Sequence, residues 1–206
     1  MLCLYAGLRR EEALALQWDC VDLDGSTPHI RVRRALRWEH NQPIITDKLK
    51  SSAARRDIPI PPALTEHLRK IERNGPLVCC KKDGSPHSSI SFRRAWESIA
   101  VREIHTVNYK DNKNKGKTIT KELKVGDTVP YRHVKVAFDF HLTPQLLRHT
   151  YISELILSGA NVKTVQYLAG HATAAITLNI YSHLMQNRPE HTAGVVLAAF
   201  TETTEQ

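Results

Sequence analysis

The sequence predicts a mainly α-helical domain that carries a small antiparallel β-sheet. Three observations predict it. Residues 144–181 hold apolar side chains at helical spacing, with a proline, an asparagine and glycines placed to start and stop helices. Residues 29–61 hold three strand-like runs, "HIRVRRALRW", "PIITDKLK" and "RRDIPIP". The 206 residues suffice for one domain with a proper core, and no internal repeat interrupts them.

Composition narrows the class. Hydrophobic residues make up 41% and charged residues 24%, as in ordinary globular chains. No run approaches ~20 apolar residues, and no charged-then-apolar leader opens the chain, so neither a membrane span nor a secretion signal is expected. Cys3, Cys20, Cys79 and Cys80 show no C-x-x-C spacing. The adjacent pair in "PLVCC" reads as buried thiols, and a reducing compartment fits better than a disulfide scaffold. The 11 histidines lack a pairing such as H-E-x-x-H, so no metal site is expected. A formal charge of +8 and a pI near 9.4 favour a polyanionic partner.

Taken in order, "MLCLYAGL" reads as the end of a helix stopped by Gly7. "RREEALALQW" begins a new helix, with Glu11 and Glu12 at its positive dipole end and Leu14 and Trp18 on one face. "DLDG" is a turn, and the three strand-like runs form one small antiparallel sheet. The first two are joined through "EHNQ", and the third alternates Ile58 and Ile60. Pro61 and Pro62 open the helix "ALTEHLRKIE", which stops at "NG". "GPLVCC" reads as a short strand, "KKDGSP" as a turn and "SISFRRAWESIA" as a helix. Residues 105–135 are polar and lysine-rich, with "NKG" and "VGD" turn signals. They read as an inserted β-hairpin or loop, either solvated or in contact with a nucleic acid. Residues 147–157 form a helix ended by Gly159. Asn161 caps "VKTVQYLA", which Gly170 ends, and a further helix runs over about residues 173–181. Pro189 breaks it, and "TAGVVLAAF" is a last apolar segment.

One of these helices carries an anomaly. At ~100° per residue, Leu147, Tyr151, Ile152, Leu155 and Ile156 sweep one face, and Arg148 falls on that same face. A guanidinium there must either pair with a carboxylate or line a cavity that opens at the helix end. His149, at the edge of the face, reads as a packing histidine. "GLRREE" places Arg9 after a glycine turn with Glu12 three residues on, and "AGHAT" places His171 directly after a helix-ending glycine. "NIYSH" carries Tyr181, and Lys48 and Lys50 sit at the end of a strand-like run. Singly, each has a duller reading as core aromatic, solvated tip or cap. Together, two arginines, a lysine, a histidine and a tyrosine could surround one phosphodiester.

In order and spacing, "YAGLRREEALALQWDCVD", "DKLKSSAARRDIPIP" and "LTPQLLRHTYISELILSGANVKTVQYLAGHATAAITLNIYSHL" resemble the catalytic domain of tyrosine recombinases. Phage and conjugative-transposon integrases are the nearest subgroup. The likeness covers nearly the whole chain except the insertion and the tail, and G-L-R-x-x-E, L-R-H-T, L-x-G-H and I-Y-S-H are its specific part.

The resemblance implies that Arg9 and Arg148 clamp a scissile phosphate and that Tyr181 attacks phosphorus to give a 3′-phosphotyrosine. It implies Lys48, with Lys50 second, as the acid that protonates the leaving 5′-oxygen. His171 would hydrogen-bond the phosphate, Glu12 would orient Arg9, and no cofactor, ATP or metal is implied. The implied partner is double-stranded DNA, with Lys50, Arg55, Lys115 and Lys117 as contact candidates. The full-length protein would assemble as a homo-tetramer on DNA in the bacterial cytoplasm, while this chain alone would be a monomer.

Residues 1–188 are then the catalytic domain with a basic insertion at 105–135, and residues 189–206 a tail packed on its own domain or passed to a neighbouring subunit. The family's N-terminal core-binding domain does not precede the first arginine, which reads as a catalytic fragment or a truncated gene. One position departs from the pattern: Gln145 stands where the family usually has a histidine. Glutamine donates a hydrogen bond but is no base near neutral pH, and His141 is separated from the helix by leucine, threonine and proline. Two other readings remain, a catalytically impaired DNA-binding remnant and a type IB topoisomerase-like relaxing enzyme.

Overall fold

A computed structural model describes residues 1–111, 116–130, 132 and 134–186. The chain opens with α1 (Leu2–Tyr5) and α2 (Arg10–Ala15), joined through Gly7 at φ +58°. Glu12 sits at the third position of α2, and its carboxylate accepts from the Arg9 backbone N–H (2.9 Å), tying off an orphan donor of the helix start. The helix ends at Ala15, earlier than the sequence predicts. Leu16 turns extended, its carbonyl accepts from Val78 N–H, and Trp18 N–H donates to the Pro76 carbonyl. Pairing with residues 76–78 therefore displaces the last helical turn. Leu14 and Trp18, expected on one helical face, pack into different clusters, and the strand expected at "GPLVCC" is a single bridge between Gln17 and Leu77.

The expected single sheet is divided. β1 (Val21–Asp22), β2 (His29–Val32) and β5 (Arg56–Pro59) form a three-stranded antiparallel sheet in the order β1-β2-β5. β3 (Ala35–Glu39) and β4 (Gln42–Thr46) make a separate hairpin. The run read as one strand, "HIRVRRALRW", breaks at Arg33 and Arg34, which turn to different carboxylates, Asp57 and Asp19. His40 and Asn41, both at positive φ, form the two-residue turn, as the twist of a tight hairpin requires. In the three-stranded sheet Ile30 opposes Ile58, and both are fully buried.

α3 (Pro62–Arg69) starts on its prolines and buries Leu64 and Leu68 against the sheet, α1 and α2, completing the main core. α4 (Ser89–Ala100) is capped by the Ser88 hydroxyl and carries Phe92 and Trp96, which stack beside Trp38. The insertion is a hairpin of β6 (Thr106–Asp111) and β7 (Lys117–Glu122), with a small core of Leu123, Val129 and Val136 at its base. Cys79 and Cys80, expected to be buried, are partly buried, with Cys79 packed against the core; the four cysteines are free, and burial pushes the Cys79 thiol up to about 11.

Three helices follow. α5 (Pro144–Leu157) begins at the proline, three residues before the expected start, because the Thr143 hydroxyl accepts from Leu146 N–H. α6 (Val162–Ala169) is capped by Asn161 and ended by left-handed Gly170, as expected. α7 (Ala174–Gln186) runs on past Tyr181. Ile152, Ile156, Val165 and Ala169 form the core between them. The tail at 189–206 and Lys115 lie outside the described residues. No helix among the described residues is long and apolar enough to cross a membrane.

Gly7 joins the two halves. A Cβ there would lie 2.2 Å from Cδ1 of Tyr151 on α5, and its backbone is left-handed. A Cβ on Gly159, also left-handed, would meet nothing within 4 Å among the described residues beyond its chain neighbours. Gly159→Ala is therefore expected to lower stability by about 1 kcal/mol through the backbone alone. Gly7→Ala adds the overpacking of an aromatic ring and is expected to cost about 3 kcal/mol. Urea denaturation of both variants checks this; equal losses would show that the close approach contributes nothing.

Candidate functional site

The site is organised by the C-terminus of α6. A helix end leaves carbonyls without intrahelical donors and gathers partial negative charge. Here Gly170 N–H donates to the Tyr167 carbonyl and His171 N–H to that of Gln166, a glycine-ended closure. The next three carbonyls stay open, and each is taken by a different arginine. Arg56 Nε donates to Leu168 O (2.8 Å), Arg148 Nη2 to Ala169 O, and Arg9 Nη2 to Gly170 O (2.8 Å).

Each guanidinium arrives on its own element. Arg9 precedes α2, Arg56 begins β5, and Arg148 lies in the second turn of α5, where it also donates to the Gly7 carbonyl. Glu12 ties two of them together. Its oxygens accept from Arg56 Nη1 and Nη2 at 3.1 and 2.9 Å and from Arg9 Nη1 at 2.7 Å. Burial alone would raise the Glu12 pKa, but the hydrogen bonds and charge of Arg56, with Arg9, hold it below the usual glutamate range.

Arg148 is 2% exposed and has no acidic partner among the described residues. Burial, then the nearby Arg9 charge, lowers it to about 10, so it stays cationic at neutral pH. Three guanidiniums thus face one carboxylate, an excess of two positive charges. Such a site fits an anion whose oxygens can accept from several N–H groups.

His171 follows Gly170 and is 6% exposed, with Nδ1 2.9 Å from Thr177 Oγ1 on α7. Burial, followed by the charges of Arg148, Arg9 and Arg56, pushes it down to about 4, so the ring is neutral at pH 7. Tyr181, one helical turn beyond Thr177, is half-buried, and its ring packs on the α5–α6 cluster. Its hydroxyl makes no hydrogen bond to another described residue.

The structure thus brings Arg9, Glu12, Arg148 and His171 together. Gln145 lies on the exposed first turn of α5, its Nε2 3.1 Å from His149 Nε2. His141 is held elsewhere, by Glu103 at 2.8 Å. An open groove of about 560 Å³ passes Arg9 and Gln145 and runs along Trp38, Phe92 and Trp96. Lys48, Lys50 and Arg55 are exposed between β4 and β5, with Arg55 donating to the Asp47 carbonyl. Lys117 lies in β7, its side chain outside the described set.

The resemblance implied that Glu12 supports the site and orients Arg9; the carboxylate does contact Arg9 and is also shared with Arg56. Arg56 itself was missed. A signal for it exists: Arg56, Ile58 and Ile60 follow the period of two, which puts an arginine on the inward face of a strand. Thr177 was missed as well, and nothing in its spacing marks it.

A family model described as "Phage integrase family" matches residues 1–188. The chain is 32% identical over 193 residues to a XerC-like tyrosine recombinase of Caldanaerobacter subterraneus subsp. tengcongensis, covering 90% of this chain and 44% of that relative. A stretch of 43 residues, 21% of the chain and 11% of the relative, is 49% identical to the transposase from transposon Tn916 of Enterococcus faecalis. The chain therefore spans less than half the length of these curated relatives. Among solved structures, the Tn1549 transposon integrase in complex with circular intermediate DNA is similar in fold, with a TM-score of 0.59 at 21% identity over 87% of this chain and 53% of that one. The XerA recombinase has a TM-score of 0.54 at 17% identity, covering 92% and 55%.

The shared carboxylate gives one expectation. Glu12→Gln leaves Arg56 buried without a counter-charge and should destabilise the protein by about 3–5 kcal/mol. Glu11→Gln, which breaks only the exposed Arg10 pair, should cost less than about 1 kcal/mol. Urea titrations of the two variants test the contrast, and similar losses would sink it. His171 gives a second. Its folded pKa lies below its unfolded value, so the unfolded chain binds more protons between about pH 4 and 6.5. Stability should fall by about 2 kcal/mol from pH 7 to pH 5 on this account. That loss should be missing from His171→Asn, measured the same way.

Proposed function

The chain belongs to the phage integrase family, and from that premise we propose that it is the catalytic domain of a site-specific DNA recombinase. It cuts and rejoins double-stranded DNA through a 3′-phosphotyrosine. The observation that carries this reading is the buried excess of positive charge at the α6 C-terminus, with His171 beside it and Tyr181 on the next helix. DNA as the partner is supported by the basic balance of the chain and by the Tn1549 integrase, which was solved on DNA.

In this mechanism Arg9 and Arg148 donate to the non-bridging oxygens of one phosphate and stabilise the charge that builds in the pentavalent transition state. One such donor is worth ~10²–10³ in rate. Tyr181 Oη attacks phosphorus, the P–O5′ bond breaks, and Lys48, or Lys50 in its place, gives a proton to the leaving oxygen. The phenolic proton passes to solvent or to a phosphate oxygen, because Gln145 accepts none. Attack by a 5′-hydroxyl on the phosphotyrosine reverses the sequence and reseals DNA, with the energy of the broken linkage kept in the covalent bond. Recombination needs four such domains on DNA, so a tetramer, with the tail at 189–206 as a link between subunits, belongs to the same proposal. So do Arg55, Lys115 and Lys117 as contacts to the DNA backbone.

Nicked suicide duplexes drawn from the DNA that flanks the coding sequence test the reading. The native chain should form a covalent adduct that survives denaturing electrophoresis, and Tyr181→Phe should form none. Gln145→His should speed adduct formation, by ~10²–10⁴ if general-base catalysis is wholly missing. An adduct that persists in Tyr181→Phe overturns the nucleophile assignment.

A further inference from the structure

We propose that Thr177 is a positioning residue: its hydroxyl donates to Nδ1 of His171 and holds the ring as the tautomer with its proton on Nε2. That nitrogen is then the one left to donate to a phosphate, so the role rests on the recombinase reading. The tautomer itself is a property of the free protein.

The argument is one of donor satisfaction. Thr177 is fully buried, and the Nδ1 contact at 2.9 Å is its one hydrogen bond among the described residues. If Nδ1 carried a proton and donated, the threonine hydroxyl hydrogen would be left without an acceptor. A buried unsatisfied donor is disfavoured by about 1–3 kcal/mol. If the hydroxyl donates, only a lone pair of a two-lone-pair oxygen goes unused, which proteins tolerate more readily. Protonating both ring nitrogens offers no escape. The charged groups facing His171 are Arg148 from α5, Arg9 from the start of α2 and Arg56 from β5, with His149 beside them, and each disfavours imidazolium. His171 is thus a neutral donor rather than an acid or a base.

The ring has little other freedom. The backbone of His171 is held from both sides, its N–H on the Gln166 carbonyl and its own carbonyl on Gln166 Nε2 (3.3 Å). Thr177 then decides how the imidazole is turned. It does a second thing through helix geometry. Thr177 and Tyr181 are four residues apart on α7 and share a face. The same hydrogen bond therefore sets where the proposed nucleophile's helix stands relative to the arginines.

The test compares the native 206-residue chain with Thr177→Val, which keeps the shape and removes the donor, and Thr177→Ser, which keeps the donor. Imidazole ¹⁵N NMR on the free protein should show Nδ1 unprotonated and Nε2 protonated in the native chain, unchanged between pH 7 and pH 5. Thr177→Val should lose that single form, and Thr177→Ser should restore it. On suicide duplexes the Val variant should form adduct about 10- to 100-fold more slowly, taking as a guide the loss seen when the partner that orients a metal-bound histidine is removed. Ser should recover most of the rate. A protonated Nδ1 in the native chain overturns the proposal, as does a Ser variant no faster than Val when both unfold at the native temperature. Absence of adduct from the native chain counts instead against the recombinase reading, and the NMR result still decides which nitrogen faces Thr177.

Discussion

Everything at this site depends on one interaction: three guanidiniums on three successive carbonyls at the end of α6. Carbonyls do something that carboxylates could not. They satisfy N–H donors and, as the negative end of a helix dipole, lower the cost of burying a cation, yet they carry no formal charge to cancel it. Hydrogen-bond satisfaction and charge neutralisation are thereby separated. Arg56 receives both, from Leu168 and Glu12, and is structural. Among the described residues Arg148 receives only carbonyls, and its charge is left without a carboxylate. Arg9 lies between these cases, paired with Glu12 yet 30% exposed at its side chain. The gradient from Arg56 to Arg148 is what leaves this buried cluster with the excess positive charge on which the proposed anion site rests.

The same cluster decides what its neighbours are. The histidine that follows Gly170 is buried and, beyond that, surrounded by positive charge, so it is neutral where an exposed histidine would be partly charged. In the proposed mechanism its contribution is then a fixed hydrogen bond, and charge stabilisation falls to the arginines. Gly170 makes both arrangements possible. Its left-handed backbone ends α6 with the carbonyls open, and a Cβ there would lie 2.7 Å from Arg56 Nη1. One glycine therefore serves the helix end, the approach of Arg56 and the placement of His171.

What was legible beforehand follows from the range of the forces involved. The cap at Asn161 and the stops at Gly7, Gly159 and Gly170 act within one helical turn, so α6 and the end of α5 could be placed from local chemistry. The Thr143 cap was missed, and α5 begins three residues before the expected start. Arg148 was visible because a lone cation on an apolar face violates its periodicity. The end of α2 was not, since residues 76–78 decide it from sixty residues away. Nor was the division of the sheet, which turns on separate ion pairs of Arg33 and Arg34. The partner of Arg56 lies 112 residues on in sequence, at a helix end that no local pattern connects to a strand. Motifs read together thus located the candidate site residues, while the groups that hold them are fixed by tertiary contacts.

Gln145 is best understood against this division. It sits on the exposed first turn of α5 and among the described residues bonds only His149, so it takes no part in the carbonyl–guanidinium network. The network is complete without a histidine at 145. Whatever the substitution does to proton transfer, it leaves the charge excess, the neutral His171 and the placement of Tyr181 as they are. In the proposed mechanism, loss of a base at 145 would lower the rate of one step without dismantling the arginine cluster proposed to hold the phosphate. The residue that departs most from the family pattern is the one whose replacement the scaffold least registers.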